Sequence, residues 1–217
     1  MRKMEGSEFD PLVQFFDDMV STRWLSTIHE QLKAFSGTWQ DKAVLDVGCG
    51  TGRLLLRGAH EAKSLTGIDI SREMVRKANE LFKEAHMEDK AKAIVGDAMN
   101  LPLSGTTYDL VFSTCALFLL PSIETGLHEL RKATTPGGNL FLLNPAPHMS
   151  VAAASTYAST HQFSEKETAF LIKWATVSER RHRKSEHQLT QLLKGAGYFT
   201  IEHEPVLDGL GLLTKAC

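Results

Sequence analysis

Cysteine is scarce in this 217-residue sequence. Cys49, Cys115 and Cys217 are odd in number, scattered, and set in no Cys-x-x-Cys or Cys/His spacing, so neither a disulfide framework nor a zinc site is implied. No apolar run reaches the roughly 20 residues that a bilayer span needs, and no membrane insertion is expected. A basic excess is lacking too: 24 Lys and Arg against 26 Asp and Glu give a net charge of −2, which does not suit a protein that follows nucleic-acid phosphates. The start, Met1-Arg2-Lys3-Met4-Glu5-Gly6, turns acidic and polar before any apolar core. It does not read as a secretory signal, and a cytoplasmic location is expected. Internal repeats and low-complexity tracts are absent. The one dense basic stretch, Arg180-Arg181-His182-Arg183-Lys184, reads first as a solvated helix end and otherwise as a docking patch for an anionic partner.

What is present is an ordinary globular composition, 42% hydrophobic and 23% charged, in a chain long enough for one sizeable domain. The most informative stretch is Val44-Leu45-Asp46-Val47-Gly48-Cys49-Gly50-Thr51-Gly52, followed by Leu54, Leu55 and Leu56. A buried strand ends there in an acid and runs into a turn of three glycines. Glycine admits positive φ and lets a ligand approach the main chain, and a helix opening near Thr51 would offer unpaired N–H groups to a negative group. Cys49 is a small residue tolerated beside such a ligand. A dinucleotide fingerprint is Gly-x-Gly-x-x-Gly. Here the third glycine comes one position early, and Asp46 would repel a phosphate while attracting a cation or an amine.

Further acids end the following apolar runs. Asp69, beside Ile70, lies 19 positions past Gly50, where a second parallel strand should finish and an acid can accept both hydroxyls of a ribose. Asp97, beside Ala98, ends a third run and is placed to meet an adenine amino group. Tyr108 to Ser113 reads as a fourth strand and Pro136 to Leu143 as a turn into a fifth. Between them, helices are expected at 52–61, 71–85 and 122–133, with Ser71 as an N-cap that leaves Asp69 free. This alternation predicts an α/β fold: a Rossmann-like, mostly parallel sheet with helices on both faces and ligands at the strands' carboxyl ends.

These segments resemble the class I S-adenosylmethionine-dependent methyltransferases, and in particular the small-molecule branch that includes the ubiquinone and menaquinone biosynthetic enzymes. The resemblance is close over 43–144 and looser toward the end. It implies a seven-stranded sheet with an antiparallel closing strand, S-adenosylmethionine as cofactor and a small-molecule methyl acceptor. It also implies that Gly48, Gly50 and Gly52 line the methionine portion, Asp69 the ribose, Asp97 and Ala98 the adenine, Met74 the adenine face, and Ser113 the floor beneath the sulfonium. The Asn/Asp-Pro-Pro-Tyr/Phe segment of amino-directed nucleic-acid methyltransferases is missing; Ser113-Thr114-Cys115-Ala116-Leu117-Phe118 stands there instead. RNA or protein methylation, and binding without turnover, remain as alternative readings.

One domain, 1–217, is expected, with a helical cap at 1–40, a cofactor-binding core at 43–144, a helical lid insertion at 148–184, and a closing helix and strands at 185–217. The cap follows from the helical spacing of Leu12, Phe15, Phe16, Met19, Val20, Trp24, Ile28, Leu32 and Phe35, with a break near Ser21. If the acceptor needs a base, His148 is the first candidate and His161, Tyr157 and His29 follow, without an assignment of a catalytic residue.

Overall fold

The computed structural model describes residues Met1–Cys217. Strands β1 (Ala43–Val47), β2 (Ser64–Asp69), β3 (Ala91–Val95), β4 (Tyr108–Thr114), β5 (Thr134–Pro145), β6 (Ile201–Val206) and β7 (Gly211–Ala216) form one sheet in the order β3-β2-β1-β4-β5-β7-β6. Strands β1 to β5 are mutually parallel. β7 runs antiparallel to β5, and β6 antiparallel to β7. The central strands are continuous apolar runs because both faces are covered; Leu140, Phe141, Leu142 and Leu143 are all fully buried.

One face is packed by α3 (Arg23–Ser36), α4 (Arg53–Leu56) and α5 (Arg72–Glu84), through Leu25, Ile28, Leu54, Val75 and Phe82. The other is packed by α6 (Ile123–Ala133) and α9 (Glu186–Gly195), through Leu127, Leu130, Leu189 and Leu193. Serine fixes where the helices begin. Ser71, Ser122 and Ser185 each accept an amide hydrogen of their helix's first turn, a cap worth about 1 kcal/mol. Ser71 follows Asp69 by two residues, so this cap also fixes where the β2 acid stands. No helix is long and apolar enough to cross a membrane.

Three expectations need correction. The helix after the glycine turn spans only Arg53–Leu56, not 52–61. Beyond it, Arg57, Gly58 and Ala59 bond back three residues, to Leu54, Leu55 and Leu56. Trp39 accounts for this: its ring lies where a Cβ on Gly58 would be, 2.0 Å from the nearest ring atom, so the chain tightens under the indole. The N-terminal region also starts earlier than its apolar stripe, with a short helix α1 (Gly6–Phe9) ahead of α2 (Val13–Val20). The break after α2 falls at Ser21, and Thr22 caps α3.

The third correction concerns the insertion. It is helical, as α7 (Val151–Thr160) and α8 (Glu165–Glu179), but its apolar side chains are built into the core. Phe170, Leu171, Trp174 and Ala175 are buried in the same core as α3, and the Trp24 and Trp174 rings stack at 5.6 Å and 7°. The insertion carries too much apolar surface to stand over solvent. It buttresses the cap from behind instead, where Phe170 meets Phe15 and Lys166 and Glu167 reach Asp18 and Arg23.

Candidate active site

The strand order reverses between β1 and β4, and ligands in such sheets bind beyond the carboxyl ends at that point. A cavity lined by 29 residues lies there. One end is polar and built by the strand ends: Asp46, Gly48, Gly50, Asp69, Asp97. Apolar wall comes from the N-terminal cap, through Phe16, Met19, Val20 and Leu25, and from Leu119 and Leu120.

The three glycines serve different ends. Gly48, Gly50 and Gly52 all have positive φ, at 78°, 53° and 76°. A Cβ on Gly48 would lie 2.4 Å from the Ala116 Cβ, and one on Gly52 would lie 2.7 Å from the Phe82 ring; at Gly50 nothing stands within 4 Å. Gly48 and Gly52 therefore permit close packing of the fold, while Gly50 alone presents bare backbone to open space. The amides of this turn are not bare. Those of Gly48 and Cys49 bond the Ile68 carbonyl, that of Gly52 bonds the Cys49 carbonyl, and that of Gly50 donates to Asp69 Oδ2 at 2.8 Å.

Asp46 lies in β1, fully buried, and neither of its carboxylate oxygens has a hydrogen-bond partner. Burial first, then the nearby Asp69 charge, pushes its pKa up to about 8. A buried carboxylate without partners is costly unless something completes it, and what completes it must donate hydrogens or carry positive charge. Asp69 is raised as well, chiefly by burial, against the hydrogen bonds of Ser71 and Gly50 that favour its charged form. Asp97 accepts the Met99 amide on Oδ1 and the Lys3 ammonium on Oδ2, at 2.9 and 2.6 Å. The second cation of the cavity wall, Arg53, is spent on Asp17 at 2.6 and 2.7 Å. Cys115, at φ 55°, also lines the cavity, and burial pushes its thiol up to about 12, so it stands there as an uncharged group.

Residues 44–138 match the family model described as a methyltransferase domain. A malonyl-[acyl-carrier protein] O-methyltransferase of Pectobacterium atrosepticum is 34% identical over 112 residues, covering 52% of this chain and 42% of that protein. A demethylmenaquinone methyltransferase of Desulfitobacterium hafniense is 32% identical over 122 residues, covering 50% and 48%. Over residues 44–138 the chain is thus similar to methyltransferase domains. The match spans less than half the length of either curated relative. Among solved structures, the methyltransferase in a Haloferax volcanii complex with the Trm112 methyltransferase activator superposes with a TM-score of 0.73 at 18% identity, covering 98% of this chain and 96% of that one. At that identity the likeness is one of fold.

Of the residues expected at the site, Asp46, Gly48, Cys49, Gly50, Asp69, Ile70, Met74, Asp97 and Ala98 all line the cavity. Two residues expected there do not. Gly52 is buried under Phe82 as the N-cap of α4. Ser113 is buried with its hydroxyl donating to the Val47 carbonyl at 2.8 Å, so it ties β4 to β1, and Thr114 takes the wall position instead. Asp69 is not free, since both of its oxygens already accept an amide; each keeps one further acceptor site.

His148 is exposed beyond β5, His161 is exposed against Asp208, and Tyr157 stacks on His161; none reaches the cavity. His29, on α3, does. Lys3, Asp17, Thr51 and Arg53 were not expected at the site. Lys3 and Asp97 are 94 positions apart, and no local pattern joins them. Asp17, an acid among the apolar residues Phe15, Phe16, Met19 and Val20, was the one available signal.

Proposed function

We propose that this protein transfers a methyl group from S-adenosylmethionine to a small organic acceptor. The observation that carries the reading is Asp46: a wholly buried carboxylate with two unpartnered oxygens, on the wall of the same cavity as the open face of Gly50. These residues fit the cofactor. Asp46 suits the ammonium of its amino acid end, the spare acceptor sites of Asp69 suit the ribose hydroxyls, and Asp97, Ala98, Ile70 and Met74 form the wall for the base.

When bound, S-adenosylmethionine supplies a methyl group made electrophilic by positive sulfur. The chain's own part is mainly positional. The cap and the Leu119–Pro121 loop line the cavity, and orienting two reactants there can be worth roughly 7 to 11 kcal/mol of barrier.

The basic run does not favour an RNA or protein acceptor. Arg181 is spent on the carbonyls of Arg2 and Leu119, and Arg183 on that of Met149. Incubating the purified chain with methyl-tritiated donor and a cell extract tests the proposal. Label is expected in an extractable small molecule. Label only in RNA or protein, or none above a heat-denatured control, would contradict it.

A further inference from the structure

The apolar end of the cavity contains one ring that packing does not explain. His29 is 4% exposed, yet it sits among Met19, Leu25 and Leu54 on the cavity wall with its Nδ1 sealed from solvent and unpartnered. Leu25 and His29 are four residues apart on α3, so they share a face one turn apart, and that face lines the cavity. A leucine there would fill the same space without stranding a polar atom. Burial, helped by the nearby Arg57 charge, lowers the imidazole pKa to about 3, so the ring stands neutral, with one nitrogen to donate and one to accept.

The charges around it restrict the partner. The cations of the wall, Lys3 and Arg53, are paired with Asp97 and Asp17, and Arg57, behind the ring, with Glu30, whereas Asp46 and Asp69 carry no cation. An anionic acceptor would find these cations already engaged and would face acids.

We infer that the acceptor is a neutral, largely apolar molecule with a single hydroxyl, and that His29 hydrogen-bonds that hydroxyl. This rests on the proposed methyl transfer.

Binding tests this without turnover. With the protein saturated by S-adenosylhomocysteine, the affinities of 2-naphthol, 2-methoxynaphthalene and 2-naphthoate are measured by fluorescence. Naphthol is expected to bind about tenfold more tightly than its methyl ether or the carboxylate, as one hydrogen bond to a buried polar group allows. His29→Leu is expected to erase the difference between naphthol and its ether, to leave S-adenosylhomocysteine affinity within twofold, and not to lower Tm, because it removes an unpaired buried polar atom. His29→Gln, which keeps an acceptor, is expected to restore part of the preference. No naphthol binding, tighter naphthoate binding, or an undiminished naphthol preference in His29→Leu would overturn the inference. Failure of S-adenosylhomocysteine itself to bind would instead sink the reading of the cofactor site.

Discussion

Asp69 Oδ2 accepts the Gly50 amide hydrogen at 2.8 Å while its Oδ1 accepts that of Ser71 at 2.9 Å. One carboxylate thus couples the turn after β1 to the start of α5, and it shapes the cradle as well as facing the ligand. Asp69→Ala should therefore cost on two counts. Hydrogen bonds to a charged group are worth about 1.5 to 3 kcal/mol each, so urea denaturation should show a loss of that order, and calorimetry a donor affinity lowered at least tenfold. Full stability together with full affinity would remove Asp69 from both roles.

The glycines separate cradle from fold. At Gly50 a methyl group meets nothing within 4 Å, and the left-handed backbone costs Ala only about 1 to 2 kcal/mol. Gly50→Ala should stay folded and lose donor binding. Gly52→Ala must displace the Phe82 ring and should lower Tm strongly. Circular dichroism melts beside ligand titrations distinguish the two, and equal effects on stability would refute this division.

Asp17 clasps the cap to the glycine turn, accepting from Thr51 at 2.8 Å and from Arg53 at both nitrogens. The Arg53 hydrogen bond, its largest influence, holds the Asp17 carboxyl below the ordinary range. Asp17→Asn should destabilise the protein by about 1 to 3 kcal/mol and speed hydrogen exchange selectively across α2 and α3. Uniform or unchanged exchange would show that the clasp does not hold the cap.

The strand-end acids and the glycine turn were legible because each lies at the end of an apolar run, and a parallel sheet gathers such ends on one rim. Ser113 misled for the same reason: it ends a run, but the alternation of faces along β4 turns its hydroxyl onto Val47, and the next residue, Thr114, faces the cavity. The insertion's composition announced helices without saying what they cover, since Phe170 and Trp174 would suit a lid or a buttress equally. His148 stood beside the right strand end yet exposed, while His29 reached the cavity from a helix whose orientation only the packing of Trp24 against Trp174 reveals. The Lys3 to Asp97 and Asp17 to Arg53 pairs depend on how the cap folds back, which no local spacing encodes.

Asp46 should make the ligand-free protein unusually sensitive to alkali. Its folded pKa, about 8, lies above the ordinary 3.8, so the native state keeps a proton that the unfolded chain has released. That contribution is complete below about pH 4 and is lost as pH rises through about 8, at about 1.4 kcal/mol per pH unit between the two. Asp46→Asn should flatten the fall in stability between pH 5 and pH 8 and abolish donor binding. Parallel stability profiles for the two proteins would contradict the assignment.

The central claim is that Asp46 waits, protonated, for the ammonium of a sulfur nucleoside. Calorimetric titration of the purified chain with S-adenosylhomocysteine at pH 7, in phosphate and in Tris, tests it directly. Saturable binding should appear, with heats that differ between the buffers in the sense of a proton released as the Asp46 carboxylate ionises against its partner. A folded chain that binds nothing, or that binds with no proton released, would contradict the account.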